Sequence, residues 1–372
     1  MSRPTVALDS RMMQHSGIGT YLRHLAQGLA KTPDSTRAVA MRYYGHPQTL
    51  EKFLPQVSSE AFGHFEAPIY SLREHWEFAL LPKQWDIWHC PHYNVPFIKK
   101  GKLVVTVHDL IHLVFQGQFF SAVQGWYARR SFDLVRKHAN AIIAVSQHTK
   151  KDLMELVGIP SERITVIHEG VGEEFQAVQD HAVLANLRTK YQLPKKFLLY
   201  VGNIKPHKNV GQLVHVFRDL KQKKKIEEDL VLVGKPDRRF LEHDKDLCAA
   251  AKNSTVHFLS EVPMEDLPGL YTLATAFILP SLYEGFGLPV LEAMACGVPT
   301  IVSNRASLPE IAGDAAKIFN PDDDATLSEA ILDVTQDAKT HQTLTQASLS
   351  RAKQFSWDRM VQETLNLYIS PQ

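Results

Sequence analysis

The chain has 372 residues, about twice the usual length of one domain, so two domains with separate cores are expected and a small cross-linked scaffold is excluded. Lys and Arg total 41 against 40 for Asp and Glu, a formal charge of +1 that excludes a general electrostatic grip on nucleic acid, so any anion binding must be local. Three scattered cysteines, Cys90, Cys248 and Cys296, form no C-x-x-C pair and suit a reducing compartment better than a disulfide framework or a zinc site.

The N-terminal M-S-R-P-T-V-A-L-D-S has no apolar run long enough for a signal peptide, and no window of about 18 apolar residues follows, so a cytoplasmic chain without a spanning helix is expected. Short apolar runs then alternate with segments of helical period along the whole length, the α/β pattern of parallel strands covered by helices. In the first half the predicted strands are Thr5 to Leu8, Ala38 to Tyr43, Asp86 to His89, Leu103 to Val107, Ala141 to Val145 and Ile164 to Ile167. In the second half they are Phe197 to Val201, Leu230 to Val233, Val256 to Phe258, Ala276 to Leu279, Pro299 to Val302 and Lys317 to Phe319. Two sheets of about five or six strands follow from this pattern. The glycine-containing stretch from Gly170 to Phe175 reads as the hinge. A final amphipathic helix opens at Ser356-Trp357 and can end either domain. The expected division is residues 1–172, completed by a C-terminal helix at 357–372, and residues 173–356.

The most informative stretch is P-S-L-Y-E-G-F-G-L-P-V-L-E-A-M-A-C-G-V-P, which begins at Pro280 after a predicted strand. Gly285 and Gly287 let backbone N–H groups approach a ligand, Pro289 suits the start of a helix, and the helix N-terminus favours a phosphate. Glu284 on the same loop can accept hydrogen bonds from sugar hydroxyls, and Glu292 on the helix can face the ligand as well. Gly297 reads as the helix C-cap. Two Glu residues separated by seven, bracketing F-G-L-P and followed by G-V-P, resemble the signature of retaining glycosyltransferases of the GT-B fold. More narrowly they are similar to the large family-4 group, which includes sucrose synthases and many bacterial mannosyl- and glucosyltransferases. The resemblance covers nearly the whole chain and implies two Rossmann-like domains with parallel sheets facing across a deep cleft.

The element V-G-N-I-K-P-H-K-N, which starts at Val201, is similar to the family's V-G-x-x-x-P-R-K-N. That similarity implies a donor-diphosphate site at Lys208 and, by neighbourhood, Lys205; the sequence departs from the family at His207, where Arg is usual, and at the donor-side candidate Asn203, where some members place a further Arg. A cation at the C-terminal edge of a parallel strand is also well placed to neutralise a leaving diphosphate. Glu261-Val262 and Leu267 fall in the family's base-contacting region. With these go the donor-loop positions Glu284, Gly285, Phe286, Gly287 and Leu288, and Glu292 as the ribose ligand.

In the N-terminal half, G-I-G-T-Y at Gly17 to Tyr21 lacks the third glycine of a dinucleotide fingerprint, because Leu22 stands in its place. It looks like the family's acceptor-side glycine loop, with Gly17 and Gly19 opposite the donor phosphates. Thr106-Val107-His108-Asp109 resembles the segment whose His hydrogen-bonds the transferred sugar, with Asp109 capping a helix or orienting it. Asp9, Arg11, Tyr21, His92, Tyr93 and Asn94 are the remaining acceptor-side candidates; for Asp9 a helix-capping role stands equally open. Ser146 and Thr149 resemble a cleft segment, with capping as the plainer alternative. His89 and His92 lack a third partner at metal-ligand spacing, and Asp322-Asp323-Asp324 reads as a turn and N-cap, so no metal is expected.

The resemblance therefore implies metal-free transfer of a hexose, with retention, to a glycan or polyprenyl-linked acceptor, and no cofactor beyond the nucleotide-sugar donor. GDP-mannose is the first expectation and UDP-sugars come next. Catalysis rests on His108, Lys208 and Glu284, and surface-polysaccharide synthesis at the inner face of the cytoplasmic membrane is the expected setting. The aromatics from Ile111 to Tyr127 beside Arg129, Arg130 and Arg136 to His138 read either as a peripheral membrane contact or as a helix packed on its sheet. Lys99, Lys100, Lys102 and the lysines from Lys221 to Lys225 read as solvated turns and helix ends. A nonhydrolysing sugar-nucleotide epimerase and a catalytically silent sugar-nucleotide-binding subunit are the alternatives.

Overall fold

Every strand pairing among the described residues is parallel, as continuous buried runs such as the A-I-I-A of residues 141–144 require. The computed structural model describes residues 3–31, 38–235, 244–250 and 253–370; the tips of the expected spans, residues 1–2 and 371–372, lie outside them. The chain divides into unit 1, Met1–Gly170 with Ser356–Gln372, and unit 2, Val171–Phe355.

The strands of unit 1 are β1 (Thr5–Asp9), β2 (Ala40–Gly45), β3 (Phe62–His64), β4 (Ile87–Cys90), β5 (Lys102–Val107), β6 (Ala141–Ala144) and β7 (Ile164–Val166), in the spatial order β3-β2-β1-β4-β5-β6-β7. The sheet thus has seven strands where the sequence pattern suggested five or six. The extra member, Phe-Gly-His, is a three-residue edge strand with no apolar run of its own. Helices α1 (Ile18–Lys31), α2 (Pro47–Phe53), α3 (Leu72–Leu80), α4 (Ile111–Val114), α5 (Ala122–His138) and α6 (Gln147–Val157) connect the strands. The aromatic segment from Ile111 to Tyr127 is not one helix, since residues 115–121 separate α4 from α5, whose start is fixed by a Ser121–Gln124 capping box.

Unit 2 contains β8 (Phe197–Val201), β9 (Asp229–Val233), β10 (Val256–Leu259), β11 (Ala276–Leu279), β12 (Thr300–Ser303) and β13 (Ala316–Phe319), ordered β10-β9-β8-β11-β12-β13. Its helices are α7 (His181–Lys190), α8 (Val210–Gln222), α9 (Lys245–Ala250), α10 (Leu267–Leu273), α11 (Leu288–Ala295), α12 (Leu308–Ala312), α13 (Asp324–Gln336) and α14 (Ala338–Ala352). The chain then returns to unit 1 as α15 (Trp357–Ile369).

Strand order selects where each unit can bind a ligand. In a parallel sheet the direction of winding reverses at one point, and the loops leaving the two strands there diverge to open a crevice at their C-terminal ends. That point lies between β1 and β4 in unit 1 and between β8 and β11 in unit 2.

Helix α15 is part of the core of unit 1. A Cβ on Gly28 of α1 would stand 2.5 Å from Val361 Cγ2, so only glycine allows this approach, and His24 stacks on Trp357 at 4.3 Å. Inside, the Tyr368 hydroxyl lies 2.5 Å from His89 Nδ1, while Thr106 Oγ1 is 2.8 Å from His89 Nε2 and 2.9 Å from the Tyr21 hydroxyl. Burial above all, with a smaller contribution from the neighbouring His108, pushes the His89 imidazole down to about 3. The ring is therefore neutral at physiological pH and satisfied on both sides by hydroxyls. Tyr368→Phe leaves a fully buried nitrogen without its partner. It should lower the stability of unit 1 by about 1–3 kcal/mol, read as an earlier first transition in urea unfolding.

Candidate functional site

In unit 2 the loops leaving β8 and β11 are built by backbone constraints. Gly202 and Gly234, at φ +151 and +145, follow β8 and β9; a Cβ on Gly234 would lie 1.9 Å from Gly202 O, so the two strand ends approach as only glycine permits. The chain then makes a 3₁₀ turn, Pro206–Lys208, and enters α8 through left-handed Asn209 at φ +53. On the other side, Gly287 at φ +108 turns the loop into α11, with Pro289 in the first turn. The two loops are joined where the Leu282 amide donates to His207 O at 2.8 Å.

At this junction Lys208 Nζ donates to both carboxylate oxygens of Glu284, at 2.6 and 2.8 Å, and Ser281 Oγ donates to Oε1 at 2.6 Å. Burial works to raise the Glu284 pKa, but the Lys208 charge and the Lys208 and Ser281 hydrogen bonds outweigh it, so the group sits below its usual range and stays ionised. The Ser307 hydroxyl lies 3.0 Å from Glu284 O and 2.8 Å from Phe286 O, pinning the loop from beneath. Glu292 behaves differently. Burial pushes it up to about 7; the Tyr271 hydroxyl, donating at 2.9 Å, works against this and Glu174 adds to it.

Other donor-side candidates are placed unevenly. Lys205 and Asn203 are exposed on the β8 loop, and Val262 is half-buried. Leu288 opens α11, whereas Leu267 is buried at the start of α10. The Phe286 ring turns inward, edge-on to Phe355 at 5.9 Å, so that position offers a ligand its backbone rather than its side chain.

In unit 1, Gly17 at φ +62 leads into α1, and a Cβ on Gly19 would come within 2.8 and 2.9 Å of Met12 O and Met13 O. His108, just past β5, is held on every side. Its Nδ1 is 3.0 Å from Glu169 Oε1, its Nε2 donates to Pro91 O at 3.0 Å, and Tyr21 meets its ring edge-on at 4.9 Å. Thr149 Oγ1 donates to its carbonyl at 3.1 Å, while Ser146 caps α6. Asp109 accepts from the Ile111 amide at 3.1 Å ahead of α4, so the residue that faces the His108 ring is Glu169, which sequence reasoning missed.

The acceptor-side candidates separate into two groups. Asp9 does not cap a helix. It forms a two-pronged pair with Arg11, whose Nε and Nη2 donate at 2.9 and 2.6 Å, and Arg11 also reaches Glu74 Oε2 at 3.3 Å and lies 3.8 Å over the Phe65 ring. Asn94 donates to Glu74 Oε2 at 2.6 Å and accepts from the Tyr127 hydroxyl at 2.8 Å. His92 Nε2 lies 2.7 Å from the Tyr70 hydroxyl, and Tyr93 OH lies 3.1 Å from His112 Nδ1. Glu74, on the inner side of α3, links this cluster and was also missed, because nothing in L-R-E-H-W-E distinguishes it from a solvated helix acid. Tyr21 and Tyr93, by contrast, are 0 % and 2 % exposed and belong to the core, as does His89, so none of these side chains is presented to an acceptor.

Among the described residues no group of three or more His, Cys, Asp or Glu side chains is arranged to hold a metal. Asp323 caps α13 through the Ala325 amide, Asp322 pairs with Arg305, and Asp324 accepts from Gln212. Lys100 is not a solvated turn residue; its ammonium caps the end of α3, donating to Ala79 O and Leu81 O at 2.7 Å and to Phe78 O at 3.2 Å.

Comparison with known proteins gives this geometry its context. The family model for Glycosyltransferase Family 4 matches residues 15–175, and that for Glycosyl transferases group 1 matches residues 186–351. O-antigen chain mannosyltransferase B of Escherichia coli is 33% identical over 286 residues, 76% of this chain and 74% of that protein. Serotype-specific mannosyltransferase WbdA of Escherichia coli is 34% identical over 273 residues, 72% of this chain but 33% of that longer protein. Among solved structures, Anabaena Alr3699/HepE in complex with UDP and glucose superposes with a TM-score of 0.77 at 17% identity, covering 98% of this chain and 99% of that one. WaaG, a glycosyltransferase involved in lipopolysaccharide biosynthesis, superposes with a TM-score of 0.72 at 16% identity, covering 98% of this chain and all of its own.

Glu169→Gln keeps the shape of the residue facing His108 and removes its charge. If Glu169 positions a working His108, the variant should fold with an unchanged melting temperature, lose roughly ten- to a hundredfold in turnover and show an altered pH–rate profile; an unchanged profile would count against that role.

Proposed function

The chain belongs to the family-4 glycosyltransferases and has their GT-B fold, and on that premise we propose that it transfers a hexose from a nucleoside diphosphate to a hydroxyl of a glycan or polyprenyl-linked acceptor in surface-polysaccharide synthesis. The donor proposed is GDP-mannose, the transfer retains the anomeric configuration, and no metal takes part. The observation that carries the reading is the Lys208–Glu284 pair, at the junction of the two loops that flank the switch point of unit 2. Mannose is favoured because the relatives at 33–34% identity are named mannosyltransferases.

In the proposed reaction the bond between the anomeric carbon and the diphosphate oxygen breaks, and its electron pair leaves with the nucleoside diphosphate. The acceptor oxygen bonds to the same face of the carbon, and its proton passes to the departing phosphate. Negative charge grows on that phosphate, where Lys208, Lys205 and the amides of the Gly285 to Gly287 loop neutralise it. Glu284 accepts hydrogen bonds from the sugar hydroxyls and Glu292 from the ribose. In unit 1, His108 is the group proposed for the transferred sugar, and Asp9, Arg11, His92 and Asn94 those proposed for the acceptor. Charge repulsion supplies a reason for Glu284 to be paired in the free protein, since an unpaired carboxylate would meet an anionic donor unfavourably.

The first test is release of nucleoside diphosphate from a panel of nucleotide sugars, with and without a polyprenyl-linked glycan. Lys208→Ala and Glu284→Gln should each cost about 10²–10³-fold in turnover; turnover undiminished in both would overturn the site, and a 2-epimerised donor would overturn the reaction. Glu292 gives a second test. With its carboxyl at about 7, most of it is protonated at pH 6 and most ionised at pH 8. Only the ionised form accepts two ribose hydrogen bonds, so donor affinity measured by calorimetry should rise by up to about tenfold over that interval. Glu292→Gln should remove the rise.

A further inference from the structure

The outer side of α3 carries an apolar stripe that no part of the described structure covers. Leu72, Trp76 and Leu80 recur every fourth residue, so they share one side of the helix, and they are 73 %, 73 % and 83 % exposed. The opposite side holds the buried Phe78 and Glu74. Two neighbours widen the stripe. Phe97 stacks on His75 of α3 at 3.5 Å, and Phe97 and Ile98 are both exposed. Tyr70, just before α3, meets Tyr127 of α5 edge-on at 5.6 Å, and α5 exposes Val123 and Trp126 (75 % and 61 %). Three separate segments therefore present large apolar side chains on adjoining surface, more than a protein surface ordinarily leaves to water.

The charges beside this surface choose its occupant. Lys83 lies just past α3 and Lys99 just past Ile98, both exposed, and Arg130 lies 5.9 Å over the Trp126 ring. Of the two acids of α3, Glu74 is buried, and Glu77 is paired with Arg73 at 3.4 Å and accepts from the Glu66 amide. Exposed Trp and Leu framed by Lys and Arg, with the acids withdrawn, match an anionic lipid headgroup layer over hydrocarbon. We propose that this surface, centred on Leu72, Trp76 and Leu80, seats unit 1 on an anionic lipid bilayer. The sequence left residues 111–138 open between a membrane contact and a helix packed on its sheet; in this proposal the contact centres on α3, and α5 is its flank. The consequence rests on the acceptor assignment made above: the helix that meets lipid outside carries Glu74, hydrogen-bonded to Arg11 and Asn94, inside. A lipid-linked hydroxyl would thus be delivered beside the acceptor cluster.

The test is co-sedimentation of the full chain with phosphatidylcholine vesicles, with and without one third phosphatidylglycerol, at low salt and at about 0.5 M salt, where exposed charges are screened within a few ångström. Binding should require phosphatidylglycerol and weaken at high salt. The double variant Trp76→Ser/Leu80→Ser should lose at least about tenfold in partitioning, and Lys83→Glu/Lys99→Glu should lose binding while keeping every apolar side chain. Circular dichroism melting of each variant shows that it is folded. Wild-type protein that stays in the supernatant with all vesicles, or an apolar double variant that partitions like wild type, would overturn the proposal. So would a wild-type dimer that Trp76→Ser/Leu80→Ser dissociates without changing vesicle binding, which would assign the surface to a second copy of the chain. None of these measurements reads turnover, so they stand or fall apart from the proposed reaction.

Discussion

The bidentate contact between Lys208 and Glu284 is the constraint around which unit 2 is organised. A carboxylate taken this far from water has to be compensated, and breaking such a pair leaves a buried charge that costs more than the pair itself contributes. Everything near it serves that compensation: the Ser281 hydroxyl on one oxygen, the Leu282 amide drawing the two loops together, and Ser307 holding the carbonyls on either side of Gly285. The glycines at 202, 234 and 287 let strand ends and helix start converge closely enough for a lysine on one loop to reach a glutamate on the other. In the proposed reaction an incoming diphosphate competes for the same ammonium, which turns a structural pair into a binding site whose charge is already balanced when empty.

Unit 1 solves a related problem with different groups. His108 and Arg11 are each enclosed by fixed acceptors, one by Glu169 and Pro91, the other by Asp9, Ala67 and Glu74. Enclosure removes rotamer freedom in advance, so a ligand meeting these side chains would not have to order them. The cost is dependence on distant parts of the chain, because Glu169, which faces His108, comes from the end of the unit's first segment and Glu74, which adds to Asp9 in holding Arg11, comes from α3.

What could be read from the sequence was what repeats or what lies close in the chain. Continuous apolar runs such as F-L-L-Y-V announce buried parallel strands, and the strand, glycine loop and helix from Ala276 to Ala295 were legible as a unit. Glu169 was not, because its meaning depends on a partner 61 residues away, and neither was the burial of His89, whose bond to Tyr368 spans 279 residues. Pairing at that range is set by sheet order and register, which no local pattern encodes. The edge strand at Phe62–His64 escaped for another reason: three residues paired on one side leave no periodicity to detect. The stripe on α3 was invisible because helical spacing shows that a helix has an apolar face but not which face the fold will cover.

The return of α15 to unit 1 has a consequence for how the molecule is made. The backbone of Gly170 lies against that of Ser356 and Trp357, so the chain leaves unit 1 and re-enters it at one spot, with all of unit 2 synthesised in between. At ordinary ribosomal rates the 279 residues between His89 and its hydroxyl partner take on the order of tens of seconds to appear. For that interval the nascent unit 1 has an apolar groove along α1 and an unsatisfied imidazole in its centre, while unit 2 has every strand it needs. Unit 1, whose first segment is synthesised before unit 2, is therefore the later of the two to finish folding.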